Sequence, residues 1–464
     1  MTRADFSVVK TRLKSAFFTT YSLAALCCVA GVFIVAIGDG HLVFGIPISE
    51  TVAEALLLIV SLLVTFISDS LGYVHATSLR WALYREGRLE YNTNFRLFTS
   101  AKTSFANRWF MNLLSASSII LCYASTSALI LRGKAGRDKD LAANAIALLC
   151  LGLALLAQVL TAAICLRHHD TRIPSWSANP LWNTMVLRQS LALAKSGSGH
   201  NVQLRFCGEN IPQSRSADIG VRKRRLWHIR ATKWIVFFIW ALCAVSFGWS
   251  GIIIYIPTLM FNHNPFRFQW NADTTDTERS VIFGMDPQTN DPQIQIAFPA
   301  VAQFFLGILF LCFVQGLQTM GLHCMELLVN MRRDEHVWRQ TGREQGASVF
   351  APDPLIEALS SWRTVLLTII KAVQHWLLGQ AMVLHYHLRE GYSEFTFNMS
   401  PSRLLVFASV TTLSAIFTTA MALCSVPGPQ PTAWGHMQAM ENMIDGWDDA
   451  PEGRLRWKRT GGIR

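Results

Sequence analysis

Eight long apolar stretches set the strongest constraint on what this 464-residue chain can form. A helix needs about 20 apolar residues to cross the roughly 30 Å hydrocarbon core of a bilayer. Only 15% of the residues are charged, whereas a typical soluble domain has about a quarter. We therefore predict an all-α polytopic membrane helix bundle with about eight transmembrane helices. The predicted spans are residues 17–38, 55–75, 112–131, 142–165, 234–256, 296–322, 364–387 and 404–425.

The basic residues between the spans predict the orientation of the chain, because cytosolic segments of membrane proteins carry an excess of Lys and Arg. The segments that would face the cytosol hold 32 of the 41 Lys and Arg residues, and the opposite connections hold 8. We expect an integral membrane protein with its N-terminus and C-terminus in the cytosol, in a plasma membrane or an endomembrane. One alternative stays open: a re-entrant third or fourth segment would invert everything that follows it.

The long basic loop divides the chain into two membrane halves. The predicted parts are a first four-helix half (1–165), a basic cytosolic loop (166–233), a second four-helix half (234–425) and a cytosolic tail (426–464). Both halves begin on the same side, so a four-plus-four duplication would be a parallel one. Aligning Gly72 with Gly321 also pairs Glu86 with Glu335. The alternative is that any two helices leaving a membrane share as few identities as these without a common origin.

Four runs at the cytosolic ends of the spans carry a resemblance to known proteins. They are GYVHATSLRWALYREGRLEYNTNFRLF, RIPSWSANPLWNT, GLHCMELLVNMRRDE and GPQPTAWGHMQAMENMIDGW. These runs resemble those of an uncharacterised family of multi-pass integral membrane proteins from filamentous fungi. The resemblance covers most of the chain and implies a similar topology. It implies no activity, cofactor or catalytic residue.

Asp69 is a carboxylate within the second predicted span, in the run Ile67–Ser70. A charged side chain at membrane depth costs a few kcal/mol on insertion scales, so such residues are functional candidates by default. Asp69 is therefore a candidate proton or cation site. The alternative is that it lies within two turns of the cytosolic end and reaches the water of the headgroup layer.

The seventh predicted span is the most polar of the eight. Lys371, Gln374 and His375 are spaced i, i+3 and i+4, which places them on one helix face. Together with Asp69, Lys371 and His375 are the candidate intramembrane polar residues, facing a bundle interior or a water-filled path. The alternative is structural, with Lys371 extending along the helix to reach the headgroups.

Arg222, Lys223, Arg224 and Arg225 form a basic run before the fifth predicted span, with Trp227 beside it. Basic residues next to Trp suit anionic lipid headgroups, at about 1 kcal/mol per charge near the surface. The expected partners are therefore the lipid bilayer and anionic headgroups. The alternative is a simple topology anchor. We expect no nucleic-acid partner, and the sequence does not identify a protein partner.

The sequence motifs of common enzymes and cofactor sites are absent. The chain contains no GxxxxGK[ST], HExxH, GxSxG or CxxC motif. The ligand-type residues His323, Cys324 and Glu326 do not all share one helix face, which disfavours a metal site. We therefore expect no enzyme activity, no catalytic residues, no metal and no cofactor.

Two functional hypotheses follow from these features. The first is a non-catalytic membrane scaffold, receptor or regulator, which long basic cytosolic segments would suit. The second is a transporter or channel-like permeation protein that uses intramembrane polar residues. The small number of Pro and Gly interruptions in the predicted spans counts against the second hypothesis.

The predicted orientation can be tested at Gln293, in the longest connection expected to face outside. In Gln293→Cys, a membrane-impermeant thiol reagent applied to intact cells should label the introduced cysteine. The measurement is labelling relative to the unsubstituted chain, with lysed cells as the control for reactivity. Protection in intact cells and labelling after lysis would contradict the orientation.

Overall fold

A computed structural model of the chain is an α-helical bundle with a small β-sheet at one end. The middle of the loop predicted at 166–233 and most of the tail predicted at 426–464 lie outside the described residues. The structure describes residues 3–37, 42–89, 91–94, 97–134, 141–169, 173–195, 226–261, 268, 270, 279–280, 300–341, 347–348, 361–389, 392–424 and 454–455.

Nine α-helices are present in these ranges. They are α1 (Arg3–Ile37), α2 (Glu50–Arg85), α3 (Trp109–Ser127), α4 (Ala145–His169), α5 (Pro180–Lys195), α6 (Arg230–Phe261), α7 (Ala300–Thr341), α8 (Trp362–Ala381) and α9 (Pro401–Leu423). All except α5 and α8 are long and apolar enough to cross a membrane. The predicted membrane helix bundle is therefore confirmed. α2 and α7, with 36 and 42 residues, are much longer than the roughly 20 residues that a crossing needs.

The seventh predicted span, 364–387, is shorter in the structure. α8 ends at Ala381, and the strand Met382–Arg389 follows it. The prediction was wrong for residues 382–387 because an apolar run does not by itself distinguish a helix from a strand. α8 also falls outside the set of seven apolar helices, since its polar residues lower its hydropathy.

A six-stranded sheet, which the sequence analysis did not predict, closes one end of the bundle. We call this end the sheet end. The strands along the chain are β1 (Val43–Ile46), β2 (Ile130–Lys134), β3 (Leu141–Asn144), β4 (Arg279–Ser280), β6 (Met382–Arg389) and β7 (Tyr392–Met399), and their spatial order is β1-β3-β2-β6-β7-β4. A separate pair joins β5 (Ala347–Ser348) to β8 (Arg454–Leu455).

The two halves of the chain follow the same plan. In each half a short strand comes after the first helix (β1 and β4), and a hairpin comes after the third long helix, α3 or α8 (β2–β3 and β6–β7). The sheet order is symmetric about the parallel pair β2–β6, in which Arg132 lies opposite His385. Helix packing repeats as well: α1 packs on α4 as α6 packs on α9, and α2 contacts α8 as α7 contacts α3.

At the opposite end, α2 and α7 continue past the bundle and pack against the segment that leads into α5. We call this the extension end. The indole of Trp81 donates a hydrogen bond to the Ser175 carbonyl at 2.8 Å, and Arg80 donates to the Ser177 carbonyl at 2.9 Å. Asn92 donates to the carboxylate of Asp334 at 3.3 Å, which joins the first half to the second. These buried bonds satisfy polar backbone groups that would otherwise be costly.

The glutamates paired by the Gly72–Gly321 alignment both organise the extension end. Glu335 is buried on α7 and binds Arg332 and Arg339, the latter at 2.8 Å. Glu86 follows α2 and accepts hydrogen bonds from the backbone amides of Lys102 and Thr103 at 2.6 and 2.7 Å. Partial burial opposes ionisation, but these bonds hold the pKa of Glu86 below its usual value.

Glycine allows α1 and α4 to approach closely. A Cβ atom at Gly152 would lie 2.4 Å from the Cys28 Sγ and 2.8 Å from the Ala24 carbonyl oxygen. In membranes, where lipid removes the hydrophobic drive between helices, such close packing is a main source of association. The close packing of α1 and α4 therefore requires glycine at position 152.

Replacing Gly152 should destabilise the bundle. We expect Gly152→Val to lower the free energy of unfolding by about 1–3 kcal/mol, because the new side chain overlaps backbone as well as side-chain atoms of α1. Gly251 on α6 is the matched control, since a Cβ there meets nothing within 4 Å. Unfolding in mixed micelles measures both variants, and an equal loss in Gly251→Val would contradict the packing argument.

Candidate functional site between the two halves

The buried polar residues of the bundle gather where the two halves meet. This interface is formed by α2 and α3 from the first half and by α7 and α8 from the second. α8 is central because it contacts α2, α3, α7 and α9. Its polar face therefore points into protein, which is where polar residues of membrane helices normally lie.

Lys371 on α8 binds two carboxylates, one from each half. Its Nζ lies 2.8 Å from Asp69 Oδ1 on α2 and 2.8 Å from Glu326 Oε2 on α7. The Lys371 side chain is 3% exposed, and those of Asp69 and Glu326 are 27% and 34% exposed. Lys371 is thus held inside the bundle and does not extend to the headgroups. We call Asp69, Lys371 and Glu326 the ion triad; its formal charge is one negative unit.

His323 extends the ion triad on α7. Its Nδ1 lies 3.0 Å from Glu326 Oε2, one helical turn away. Glu326 therefore contacts two groups that can carry a proton, namely Lys371 and His323. The sequence analysis considered His323 and Glu326 as metal ligands, but the described residues contain no group of three or more His, Cys, Asp or Glu side chains suited to a metal.

A layer of glutamine and serine side chains lies next to the ion triad. Gln374 on α8 donates to the Ser414 hydroxyl on α9 at 2.6 Å, and it accepts a hydrogen bond from Gln318 on α7. All three side chains are buried. Buried amides that are fully bonded in this way fix the register of neighbouring helices.

His375 is one residue further along α8 and is buried between α3 and α7. Its Nδ1 lies 2.7 Å from Gln315 Oε1, and its ring stacks on Tyr123 with 3.4 Å between centroids and 9° between planes. The Gln315 amide in turn donates to the Ser127 hydroxyl at 2.9 Å. His375 is therefore fixed by residues of both halves.

A second charged cluster closes the sheet end of the interface. Glu54 on α2 binds Arg403 on α9 at 2.7 Å and Arg132 on β2 at 3.2 Å. Arg403 is 3% exposed and also donates to the Gln380 carbonyl at 3.3 Å. The indole of Trp270 donates to the other Glu54 oxygen at 3.3 Å. We call Glu54, Arg132 and Arg403 the outer cluster, since it lies at the end predicted to face outside.

A small cavity lined by both polar and apolar side chains lies between the outer cluster and the ion triad. Its volume is about 10 Å³, which is the space that one water molecule needs. The site thus consists of a water-sized space with a charged cluster on each side along α8. The cavity is lined by Leu57, Ser61, Tyr123, Thr126, Ser127, His375, Trp376, Gly379 and Gln380.

The structure brings together Asp69, Lys371 and His375, the three intramembrane candidates of the sequence analysis. The candidate headgroup residues Arg222, Lys223, Arg224 and Arg225 lie outside the described residues. Sequence reasoning missed Glu54 and Arg403. The predicted spans began at 55 and 404, one residue beyond each, so both charges were assigned to loops. A charge next to a span boundary was the available signal.

Comparison with protein-family models, with curated proteins and with solved structures finds no match to this chain. The seven apolar helices show a multi-pass membrane protein in contact with a lipid bilayer. Any statement about its activity therefore depends on the geometry of the site.

Removing the lysine should cost more stability than removing either carboxylate. Lys371→Met leaves two facing carboxylates without a cation, and we expect a loss of about 2 kcal/mol or more in the free energy of unfolding. Asp69→Asn and Glu326→Gln each leave Lys371 with one partner, so about 1 kcal/mol is expected. Unfolding in mixed micelles gives the ranking, and equal losses in all three variants would contradict the shared-lysine geometry.

Proposed function

We propose that this protein is a transporter that moves a small polar solute or ion through the interface between its halves. The observation that carries the proposal is the small cavity between two charged clusters, each built from both halves. Carriers with alternating access need a central site and a closure on each side of it. The outer cluster and the ion triad have the positions that such closures require.

The repeated plan of the two halves supports the same proposal. We infer that the halves arose by a parallel four-plus-four duplication, with α8 as the eighth crossing and both termini in the cytosol. In transporters built from repeats, the substrate site lies near the bilayer midplane at the repeat interface. The cavity lies between α2 and α3 of the first half and α8 of the second, as such a site would.

The scaffold, receptor or regulator hypothesis is a second proposal, and a different observation favours it. At the extension end, α2 and α7 continue past the bundle into a buried polar network that includes Arg80, Asn92 and Asp334. Such a structure would suit a docking platform for protein partners. The same end would carry the proposed anionic-headgroup contact of Arg222–Arg225, because the adjoining Leu226 is buried against the bundle. Neither proposal involves catalysis, and a fungal origin of the chain is likewise a proposal.

Transport predicts that the cavity opens to each side in turn. Ser127→Cys places a thiol at the cavity wall. In a variant otherwise free of cysteine, a charged methanethiosulfonate reagent should label it from one face of sealed vesicles. Weakening the ion triad with Glu326→Gln should change labelling from the extension end by about tenfold, because a charge-assisted hydrogen bond contributes roughly 1.5–3 kcal/mol.

A cysteine at Ile59, which is exposed on α2 between the cavity-lining residues Leu57 and Ser61, is the matched control for membrane depth. Its labelling should not respond to Glu326→Gln. If Ser127→Cys stays unlabelled from both faces with the ion triad intact or weakened, the cavity does not open, and the transport proposal is wrong. The scaffold proposal predicts that result.

A further inference from the structure

Glu326 offers one carboxylate oxygen to two basic groups. Its Oε2 lies 2.8 Å from the Lys371 Nζ and 3.0 Å from the His323 Nδ1. A carboxylate oxygen only accepts hydrogen bonds, so Nδ1 of His323 must carry a proton. This contact therefore exists whether the imidazole ring is neutral or charged. In the neutral ring, Nε2 is the nitrogen whose lone pair takes a second proton.

The charges beside His323 favour that second proton. With a neutral ring, Asp69, Lys371 and Glu326 leave one net negative charge within the bundle. Lys371 opposes a charge on His323, and the two carboxylates outweigh it. A net charge among apolar helices is costly, whereas paired ions of balanced charge cost much less. One proton on His323 would give that balance.

The neighbouring helices contribute aromatic rings and apolar side chains around this group. His375 on α8 interacts electrostatically with His323, and Tyr123 on α3 does so with Asp69 and Lys371. The helices α6 and α9 also pack on α7. Their contribution to the apolar cluster around α7 includes Ile239 and Ala415. The balance of charge at His323 is therefore governed by the ion triad.

The exposed parts of the group lie near the headgroup layer of the extension end. The side chains of His323, Asp69 and Glu326 are 15%, 27% and 34% exposed. Asp69 is 19 residues after Glu50, where α2 begins at the sheet end, and that number of residues spans about 28 Å of helix. This length nearly crosses the roughly 30 Å hydrocarbon core. A proton can thus reach the group from the water at the extension end.

We propose that His323 and the ion triad bind one proton from the extension end, and that this proton is the coupling ion of the proposed transport. A hydronium ion gives up the proton, an N–H bond forms at Nε2 of the neutral ring, and water leaves. The group of four side chains then has no net charge. The coupling rests on the proposed function, whereas proton binding can be measured without transport.

Proton binding would weaken the closure on the inner side of the cavity. The imidazolium ring of His323 and the ammonium group of Lys371 would then share one oxygen of Glu326. Two like charges on one acceptor repel each other, so the bond between Lys371 and Glu326 loosens. That bond joins α8 to α7, whereas the bond from Lys371 to Asp69 joins α8 to α2 and remains. The extension end of the interface should therefore open more readily in the protonated state.

The first test measures proton binding by the full chain in detergent. Nitrogen NMR of histidine-labelled protein follows each ring between about pH 5 and 8, the range in which histidine ordinarily titrates. His323→Asn identifies the resonance of His323 by its loss, and the new side chain keeps an N–H group for Glu326. We expect this resonance to titrate within the range. His336→Asn, on the extension of α7, is the matched control and should remove a different resonance.

Two variants of the ion triad connect the titration to this site. Glu326→Gln removes the carboxylate in contact with His323, and we expect the proton affinity of His323 to fall about tenfold or more. Asp69→Asn removes the more distant carboxylate and should cause a smaller fall. The proposal is overturned if the His323 ring keeps one protonation state across the range, or if Glu326→Gln leaves its titration unchanged.

The second test measures coupling. The Ser127→Cys chain, otherwise free of cysteine, is labelled from the extension end at pH 5.5 and at pH 8 with the charged methanethiosulfonate reagent. The matched control carries His323→Asn in addition, so the thiol and the reagent are the same in both chains. We expect the ratio of the rate at pH 5.5 to that at pH 8 to be about threefold higher or more when His323 is present. The reason is that the imidazolium offsets part of a charge-assisted hydrogen bond.

The results of the two tests separate this proposal from the proposed function. Equal ratios in the two chains would overturn the proton as coupling ion, even if His323 titrates. Proton binding together with a Ser127→Cys thiol that never becomes accessible would refute transport and leave the proton site standing. An accessible thiol together with a His323 ring that does not titrate would overturn the proton site and leave transport standing.

Discussion

The buried lysine at position 371 is the constraint on which the interior of this protein depends. An ammonium group in a bundle surrounded by lipid needs anionic partners, since an isolated buried charge costs far more than any packing can offset. Asp69 and Glu326 supply them from α2 and α7. Because one carboxylate belongs to each half of the chain, a single side chain on α8 fixes how the two halves meet.

The position of α8 follows from the same requirement. With Lys371, Gln374 and His375 on one face, this helix cannot face lipid on that side, and it lies among four other helices. α1 and α6 lie on the outside and carry large exposed apolar residues such as Phe18 and Phe237. The arrangement puts the polar helices of both halves in the centre and leaves the most apolar helices to meet the bilayer.

The membrane helices and the charged residues within them were predictable from the sequence, because the apolar length of a span and the cost of an intramembrane charge are local properties. Asp69 and Lys371 were found on this basis. Their pairing was not predictable, since they are 302 positions apart. The sheet was not predicted either: its strands are short, and β2 carries Arg132, whose charge pairs with Glu54 on another element. Pairs of residues that meet only in the folded structure leave no pattern in any short stretch of the sequence.

The central claim, that Lys371 joins the two halves through Asp69, is tested most directly by a double-mutant cycle. The free energies of unfolding of Asp69→Asn, Lys371→Met and the double variant are compared with that of the parent in mixed micelles. Contacting residues give interaction energies of about 0.5–3 kcal/mol, whereas distant sites are additive within about 0.5 kcal/mol. The account predicts a coupling of about 1 kcal/mol or more. The double variant should therefore lose less free energy of unfolding than the two single variants lose together. Additivity within error would contradict it.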